Sequence, residues 1–104
     1  MINSLRDTET LEGEKLELPV RLTDCYPLPS SEWSKDGQLI SGDSTYLVEK
    51  NNSDYKLVVL NVTDSDEGKY AFKASNELGS VETSCQASVL GIFIIFKTYY
   101  IISI

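Results

Sequence analysis

The most reactive residues in this 104-residue chain are two cysteines, Cys25 and Cys85, which stand 60 positions apart. Such a pair can form a disulfide, but it cannot by itself complete a tetrahedral zinc site. The sequence contains no histidine, which removes the usual general base, the commonest metal ligand and the Ser–His and Cys–His nucleophile pairs. We therefore do not expect an enzyme, and no catalytic, cofactor-binding or metal-binding residue is predicted.

The acidic segment 64–68 (DSDEG) resembles the beginning of a calcium-binding loop. A calcium loop of the EF-hand type requires a bidentate glutamate at its twelfth position. Counted from Asp64, that position holds Ser75, which cannot take this role. The segment is therefore predicted to be helical or turn-like and not a calcium site.

The distribution of charge limits the possible partners. The chain carries 16 acidic and 9 basic residues, a net charge of −7, and its lysines and arginines do not cluster. A polyanion-binding face needs such a cluster, so binding to nucleic acid is not expected. Four early glutamates are interpreted as an acidic patch, either a solvated sheet face and loop or a docking surface for a basic partner: Glu9, Glu12, Glu14 and Glu17.

The elements that must position these residues are strands. Leu16, Leu18, Val20 and Leu22 occupy every second position, which is the pattern of a half-buried strand. Pro19 lies inside this strand and has no amide hydrogen, so its nitrogen must face away from a paired neighbour.

Short strands continue along the chain, separated by polar turns. No amphipathic helix of useful length appears, and turns recur about every 8–12 residues, which favours an all-β sandwich. Turns are predicted at 35–37, 50–54, 64–68 and 75–79, and further strands at 32–34, 38–40, 46–48, 57–59, 69–74 and 81–90.

The last 14 residues differ in composition from the rest. All 16 acidic residues lie before Gly91, and ten of the final 14 residues are apolar or aromatic. Lys97 interrupts this stretch, and a bilayer-spanning helix needs about 20 apolar residues. Three interpretations remain: an appendage that is not native to the domain, such as an alternative terminus; a strand or interaction segment with the composition of an aggregation-prone strand; and a membrane or targeting segment.

A combination of spaced residues along positions 7–90 resembles a known family. The residues that carry it are Gly13, Trp33, the Lys35-Asp36-Gly37 turn, Asp66-x-Gly68-x-Tyr70 and Asn76-x-x-Gly79. The combination is similar to the intermediate-set immunoglobulin domain, above all to those of titin and the related obscurin and myosin-binding families. The resemblance implies an all-β, immunoglobulin-like two-sheet sandwich over residues 1–90, with the apolar C-terminal tail 91–104 outside it.

The resemblance also implies structural roles. Trp33 would lie between the two sheets, and the Tyr70 hydroxyl would bond the backbone just upstream as a tyrosine corner. Asp66 and Gly68 would shape the turn before that strand. The structural core is expected to include Val20, Trp33, Leu57, Val59, Tyr70 and Phe72.

The main departure from the family pattern is the missing inter-sheet disulfide. Its two cysteines would fall at Val20 and Phe72, which are apolar here. A bridge over a loop of this length could contribute about 4 kcal/mol. Its absence is typical of proteins in a reducing cytosol, where disulfides are rare.

The two real cysteines and the glycosylation motifs are interpreted on the same basis. The inferred register places Cys85 opposite Lys69 or Tyr70 and far from Cys25, so two free thiols are expected. Asn51 and Asn61 are formal N-glycosylation acceptors that matter only in a secreted chain. Short acceptor motifs often arise by chance, and the missing bridge is typical of a cytosolic chain, so no glycan is expected.

The function implied by the resemblance is structural. The chain would be a protein-interaction module of a sarcomeric, titin-like multidomain protein in the muscle cytoplasm, giving spacing, mechanical resistance and docking surface. Expected partners are neighbouring immunoglobulin or fibronectin-type domains and sarcomeric proteins, with no cofactor, nucleic acid, small-molecule substrate or membrane. Two alternatives remain: a cell-surface adhesion or receptor domain that has lost its bridge, and a regulatory module of a muscle kinase.

Overall fold

Ten strands and one 3-10 helix make up the computed structural model, which describes residues 2–23, 26–41, 45–95 and 98–103. The strands are β1 Ile2–Asn3, β2 Thr8–Leu11, β3 Leu16–Leu22, β4 Ser30–Lys35, β5 Gln38–Ile40, β6 Tyr46–Asn51, β7 Asp54–Val59, β8 Gly68–Asn76, β9 Gly79–Ile95 and β10 Thr98–Ser103. The 3-10 helix, Asp64–Asp66, lies between β7 and β8.

The strands form the predicted two-sheet sandwich. One sheet has the order β1-β3-β7-β6, and the other has the order β10-β9-β8-β4-β5 with β2 added to β9. The β2–β9 pair is parallel, while the other pairs are antiparallel. The chain therefore crosses from one sheet to the other between β1 and β2, so that its first strands contribute to both layers.

The core lies between the sheets and is built from alternate strand residues. In β3 the four apolar residues predicted to face inward are buried, and the three residues between them are exposed. The Phe72 ring on β8 contacts both Trp33 and Tyr55, at centroid separations of 4.9 and 5.1 Å. Tilted aromatic pairs at this distance contribute roughly 0.5–1.5 kcal/mol each beyond their buried area.

The turns follow local sequence. Asp36 and Gly37, between β4 and β5, have φ values of 49° and 84°, as a two-residue hairpin with the native strand twist requires. The β6–β7 connection has Asn52 at φ 56°. In the β8–β9 hairpin the Asn76 side chain accepts a hydrogen bond from the Leu78 amide at 2.8 Å. The hairpins predicted at 35–37, 50–54 and 75–79 are thus confirmed.

The closing strand is longer than predicted. The sequence pattern predicts that this strand ends at Leu90, before Gly91, but β9 continues without a break to Ile95. Pairing of β9 with β8 ends at Ala87, and β10 then pairs with β9 from Leu90 to Ile95. The strand persists because a new partner accepts and donates its backbone hydrogen bonds. Of the three interpretations of the tail, the backbone of residues 91–95 and 98–103 agrees with the one that makes it a strand.

Candidate functional site

The turn before β8 is organised around Asp66 and Tyr70. The Tyr70 hydroxyl donates a hydrogen bond to the Asp66 carbonyl, and the Asp66 carboxylate accepts one from the Thr63 amide at 2.8 Å. Desolvation by burial raises the pKa of Tyr70 well above its ordinary value, with Tyr46 and Asp66 acting in the same direction. The Tyr70 hydroxyl is therefore a protonated donor. The buried Asp66 closes the turn through its carboxylate and accepts the Tyr70 hydrogen bond through its backbone carbonyl.

Gly68 lies against the carboxylate of Asp36. A Cβ atom at position 68 would come within 2.6 Å of Asp36 Oδ2. Asp36 Oδ1 accepts a hydrogen bond from the Lys69 amide at 2.9 Å, and the Asp36 amide donates to the Lys69 carbonyl at 2.8 Å. The β4–β5 turn is therefore fastened to the start of β8, and a side chain at position 68 would displace the Asp36 carboxylate.

The six residues named as the structural core lie in the interior. Their exposed fractions are at most 3%: Val20, Trp33, Leu57, Val59, Tyr70 and Phe72. Val20 and Phe72, at the positions of the missing bridge, belong to the same hydrophobic cluster. The Trp33 indole N–H has no hydrogen-bond partner within the described ranges. The space that an inter-sheet disulfide would cross is filled by apolar side chains.

Cys85 is a free thiol, buried on the inner side of β9. It lies opposite Tyr70 in the ladder with β8, one of the two positions expected from the sequence. Burial raises the pKa of the Cys85 thiol, with a smaller contribution from Asp7. A buried, protonated thiol is a poor nucleophile. Cys25 lies outside the described residues.

The strands β2 and β9 pair in one continuous ladder. Residues 8–11 of β2 pair in parallel with residues 87–90 of β9. The ladder extends by one further bond, from the Glu12 amide to the Leu90 carbonyl at 2.8 Å.

Three hydrogen bonds from backbone amides to side chains tie β9 to neighbouring segments. Those that involve Leu5 and Asp7 join β9 to the segment before β2, whereas the one to Glu67 joins β9 to the residue before β8. They run from the Leu5 amide to Thr83 Oγ1 at 3.0 Å, from the Gln86 amide to Asp7 Oδ1 at 2.9 Å, and from the Val89 amide to Glu67 Oε1 at 2.9 Å. Sequence reasoning missed these residues because a single polar side chain leaves no periodic signal.

The early glutamates interpreted as an acidic patch are divided between the two sheets. Glu9 lies on β2 in one sheet, whereas Glu17 lies on β3 in the other. Glu17 is paired with Lys15 at 3.1 Å and with Lys56 at 3.3 Å. The hydrogen bond with Lys15, followed by that with Lys56, lowers the pKa of Glu17. The crossing from sheet to sheet separates charges that are neighbours in sequence.

The described residues include no group of three or more histidines, cysteines, aspartates and glutamates that could hold a metal ion. The carboxylate of Asp66, in the calcium-like segment, is hydrogen-bonded to the Thr63 amide within the turn. None of the helices in the described ranges is long and apolar enough to cross a membrane.

The two-sheet order, the parallel terminal strands and the tyrosine corner define an immunoglobulin-type sandwich. Residues 1–89 match the family described as the immunoglobulin I-set domain, and the chain belongs to that family. The resemblance inferred from the Trp33, Asp66-x-Gly68-x-Tyr70 and Asn76-x-x-Gly79 spacing is confirmed.

Several curated relatives are muscle proteins. The muscle M-line assembly protein unc-89 of Caenorhabditis elegans is 34% identical over 84 residues, which are 79% of this chain and 1% of that protein. Titin of Drosophila melanogaster is 28% identical over 89 residues. V-set and immunoglobulin domain-containing protein 10 of Danio rerio is 33% identical over 79 residues, 76% of this chain and 15% of that protein. The chain spans a small fraction of each.

Solved titin domains share the fold. Titin domain M7 superposes with a TM-score of 0.81 at 28% identity, over 86% of this chain and 91% of that domain. Titin domain M3 superposes with a TM-score of 0.79 at 26% identity, over 86% of this chain and 94% of that domain. The chain is thus similar to titin immunoglobulin domains both in sequence and in three-dimensional structure.

Proposed function

We propose that this domain is a structural and protein-interaction module of a sarcomeric, titin-like multidomain protein in the muscle cytoplasm. It provides spacing, mechanical resistance and docking surface, and it catalyses no reaction. The similarity to unc-89 and titin supports the muscle setting. The observation that carries the mechanical role is the parallel pairing of residues 8–11 with 87–90.

Mechanical resistance follows from the direction of the load. A pull on the two ends of the chain first separates β10 from β9, because β10 runs back beside β9. The pull then draws β2 and β9 in opposite directions along their length, so the bonds between them resist together. The relevant quantity is the rate of unfolding under force and not the equilibrium stability. The hydrogen bond that Asp7 accepts from the Gln86 amide extends the region that must yield.

The test is single-molecule pulling on a tandem polyprotein of this domain. Bonding amides recur at every second residue, and Glu12 donates to β9, so the Thr10 amide also belongs to the ladder. We expect Thr10→Pro to lower the unfolding force. The matched control is Glu49→Pro on β6, an edge strand of the other sheet that does not lie between the pulled ends. Equal unfolding forces for the two variants would contradict the mechanical role.

The proposed partners are other proteins, in particular neighbouring immunoglobulin or fibronectin-type domains and sarcomeric components. Binding to a panel of purified muscle immunoglobulin and fibronectin-type domains, measured by surface plasmon resonance, tests this part. Absence of binding to every member of the panel would count against a docking role.

A cell-surface adhesion or receptor domain is the second candidate. Two observations favour it: both glycosylation acceptors, Asn51 and Asn61, have exposed side chains, and one relative is not named for muscle. If the protein isolated from its own tissue shifts in mass after treatment with an N-glycosidase, the cell-surface role replaces the sarcomeric one. An unchanged mass supports the cytoplasmic assignment.

A further inference from the structure

Beyond Leu90 the second sheet narrows to a two-stranded ribbon, formed by residues 91–95 of β9 and by β10. Leu90 pairs with Leu11 of β2 on one side, so Ser103, which also pairs with Leu90, lies on the other side. The ribbon therefore continues the line of β8 after β8 has ended. In the described part of the chain, β9 is the only strand that pairs with β10.

The ribbon extends along the length of the molecule. A strand of 17 residues is about 56 Å long at roughly 3.3 Å per residue. The molecule measures 59 by 25 by 23 Å, so β9 runs the length of the long axis. The ribbon thus occupies one end, away from most of the sandwich.

The outer edge of β10 differs from the other open edges of this domain. Natural sheets protect open edges with charged residues, proline or very short strands. The edge strand β6 contains Glu49 and Lys50, β5 has three residues, and the part of β3 that β1 does not reach contains Pro19. The six residues of β10 include no charge, proline or glycine.

Charge is also divided between the sandwich and the ribbon. All 16 acidic residues and eight of the nine basic residues precede Gly91, so residues 1–90 carry a net charge of −8. Lys97 is the single charged residue after it. Two copies in side-by-side contact through their sandwiches would bring like charges together, whereas contact through the ribbons would not. At ordinary salt concentration, charges are screened over about 10 Å. Two sandwiches that lie at opposite ends of a ribbon–ribbon contact therefore repel each other only weakly.

We propose that β10 is a self-association edge, which pairs antiparallel with β10 of a second copy of this chain about a two-fold axis. An antiparallel strand presents the same backbone pattern to its own copy, and a two-fold contact closes at the dimer. A two-stranded ribbon alone is only marginally stable. In the dimer, each ribbon becomes part of a four-stranded sheet and is stabilised by it.

Sedimentation equilibrium of the full chain over a range of concentrations tests the proposal. We expect a reversible monomer–dimer equilibrium. Ile101→Lys, near the middle of β10, should abolish dimerisation because it places a charge on each of the paired edges. The matched control is Leu78→Lys, which makes the same change at an exposed residue in the β8–β9 hairpin, at the opposite end of β9, and should leave the equilibrium unchanged.

A second measurement keeps the proposal testable if the Ile101→Lys variant fails to fold. Amide exchange of the unaltered chain should show slower exchange for residues 98–103 at high than at low protein concentration. A chain that remains monomeric, or an association that Ile101→Lys leaves intact, would overturn the proposal. A monomer that sediments with phosphatidylcholine vesicles would also overturn it, and would assign the ribbon to a lipid surface.

Discussion

Val20 and Phe72 occupy the two positions at which immunoglobulin domains of secreted proteins carry their inter-sheet disulfide, and both lie in one buried hydrophobic cluster. The sheets are therefore held at this point by packing alone. The free Cys85 thiol lies elsewhere, opposite Tyr70. Stability should consequently be independent of the redox state of the solution.

We expect the denaturant midpoint of the domain to be the same with and without a thiol reductant. A disulfide closing a loop of this size would contribute about 4 kcal/mol, which is readily detected. Equilibrium unfolding in urea, followed by tryptophan fluorescence of Trp33, provides the measurement. A large fall in the midpoint under reduction would show that Cys25 and Cys85 are bridged.

Truncation of the central aromatic residues should be severe. Phe72 contacts the rings of both Trp33 and Tyr55, and all three are buried. Phe72→Ala and Trp33→Ala are each expected to lower the free energy of unfolding by about 3–5 kcal/mol. The control Glu12→Ala, at an exposed position, should change it by less than about 0.5 kcal/mol. A Phe72→Ala variant that melts like the parent would contradict the inward orientation of β8.

The parts of the fold that the sequence reveals are those with a local cause. Leu16 to Leu22 alternate because one face of β3 meets the core, and Asp36-Gly37 permits the positive φ values of its hairpin. The spacing of Asp66 and Tyr70 is visible in the sequence because a hydrogen bond joins these two residues, which are only four positions apart. Each of these patterns is complete within a few residues.

The features that the sequence does not reveal depend on distant partners. Asp7 accepts a bond from the amide of Gln86, 79 residues later, and nothing near Asp7 marks it. The short strand β2 has no alternation of buried and exposed residues to mark it. Gly91 resembles a strand terminator, but its neighbour β10 decides the outcome, because pairing with β10 continues the ladder.

Gly68→Ala should destabilise the domain through Asp36. An added Cβ would displace the carboxylate from its position 2.6 Å away and so break its hydrogen bond to the Lys69 amide. Because this hydrogen bond is exposed to solvent, we expect a loss of about 0.5–1.5 kcal/mol, the net contribution of an ordinary hydrogen bond. In a double-mutant cycle with Asp36→Ala the two losses should not add, because both remove the same bond. Fully additive losses in chemical unfolding would show that Gly68 acts independently of Asp36.

Stability should fall at high pH because of Tyr70. Burial raises the pKa of the Tyr70 hydroxyl in the folded protein above its value of about 10 in the unfolded chain. The neutral phenol is thus favoured in the folded state, and its contribution is fully present below pH 10 and lost as pH rises beyond it. Tyr70→Phe cannot ionise and should show a weaker decline of thermal stability above pH 10. Parallel declines for the two proteins would contradict the assignment.

Residues 1–90 are proposed to fold without the tail. In β9, the residues that pair with β8 and β2 all precede Gly91, whereas β10 pairs from Leu90 outward. A chain ending at Leu90 should therefore retain its β content and its thermal midpoint. It should also be more soluble, because the removed ribbon has an unprotected apolar edge. The measurements are thermal unfolding and amide exchange of residues 81–90 in both chains. If the shortened chain is unfolded, or if those amides lose protection, the tail is an integral part of the domain.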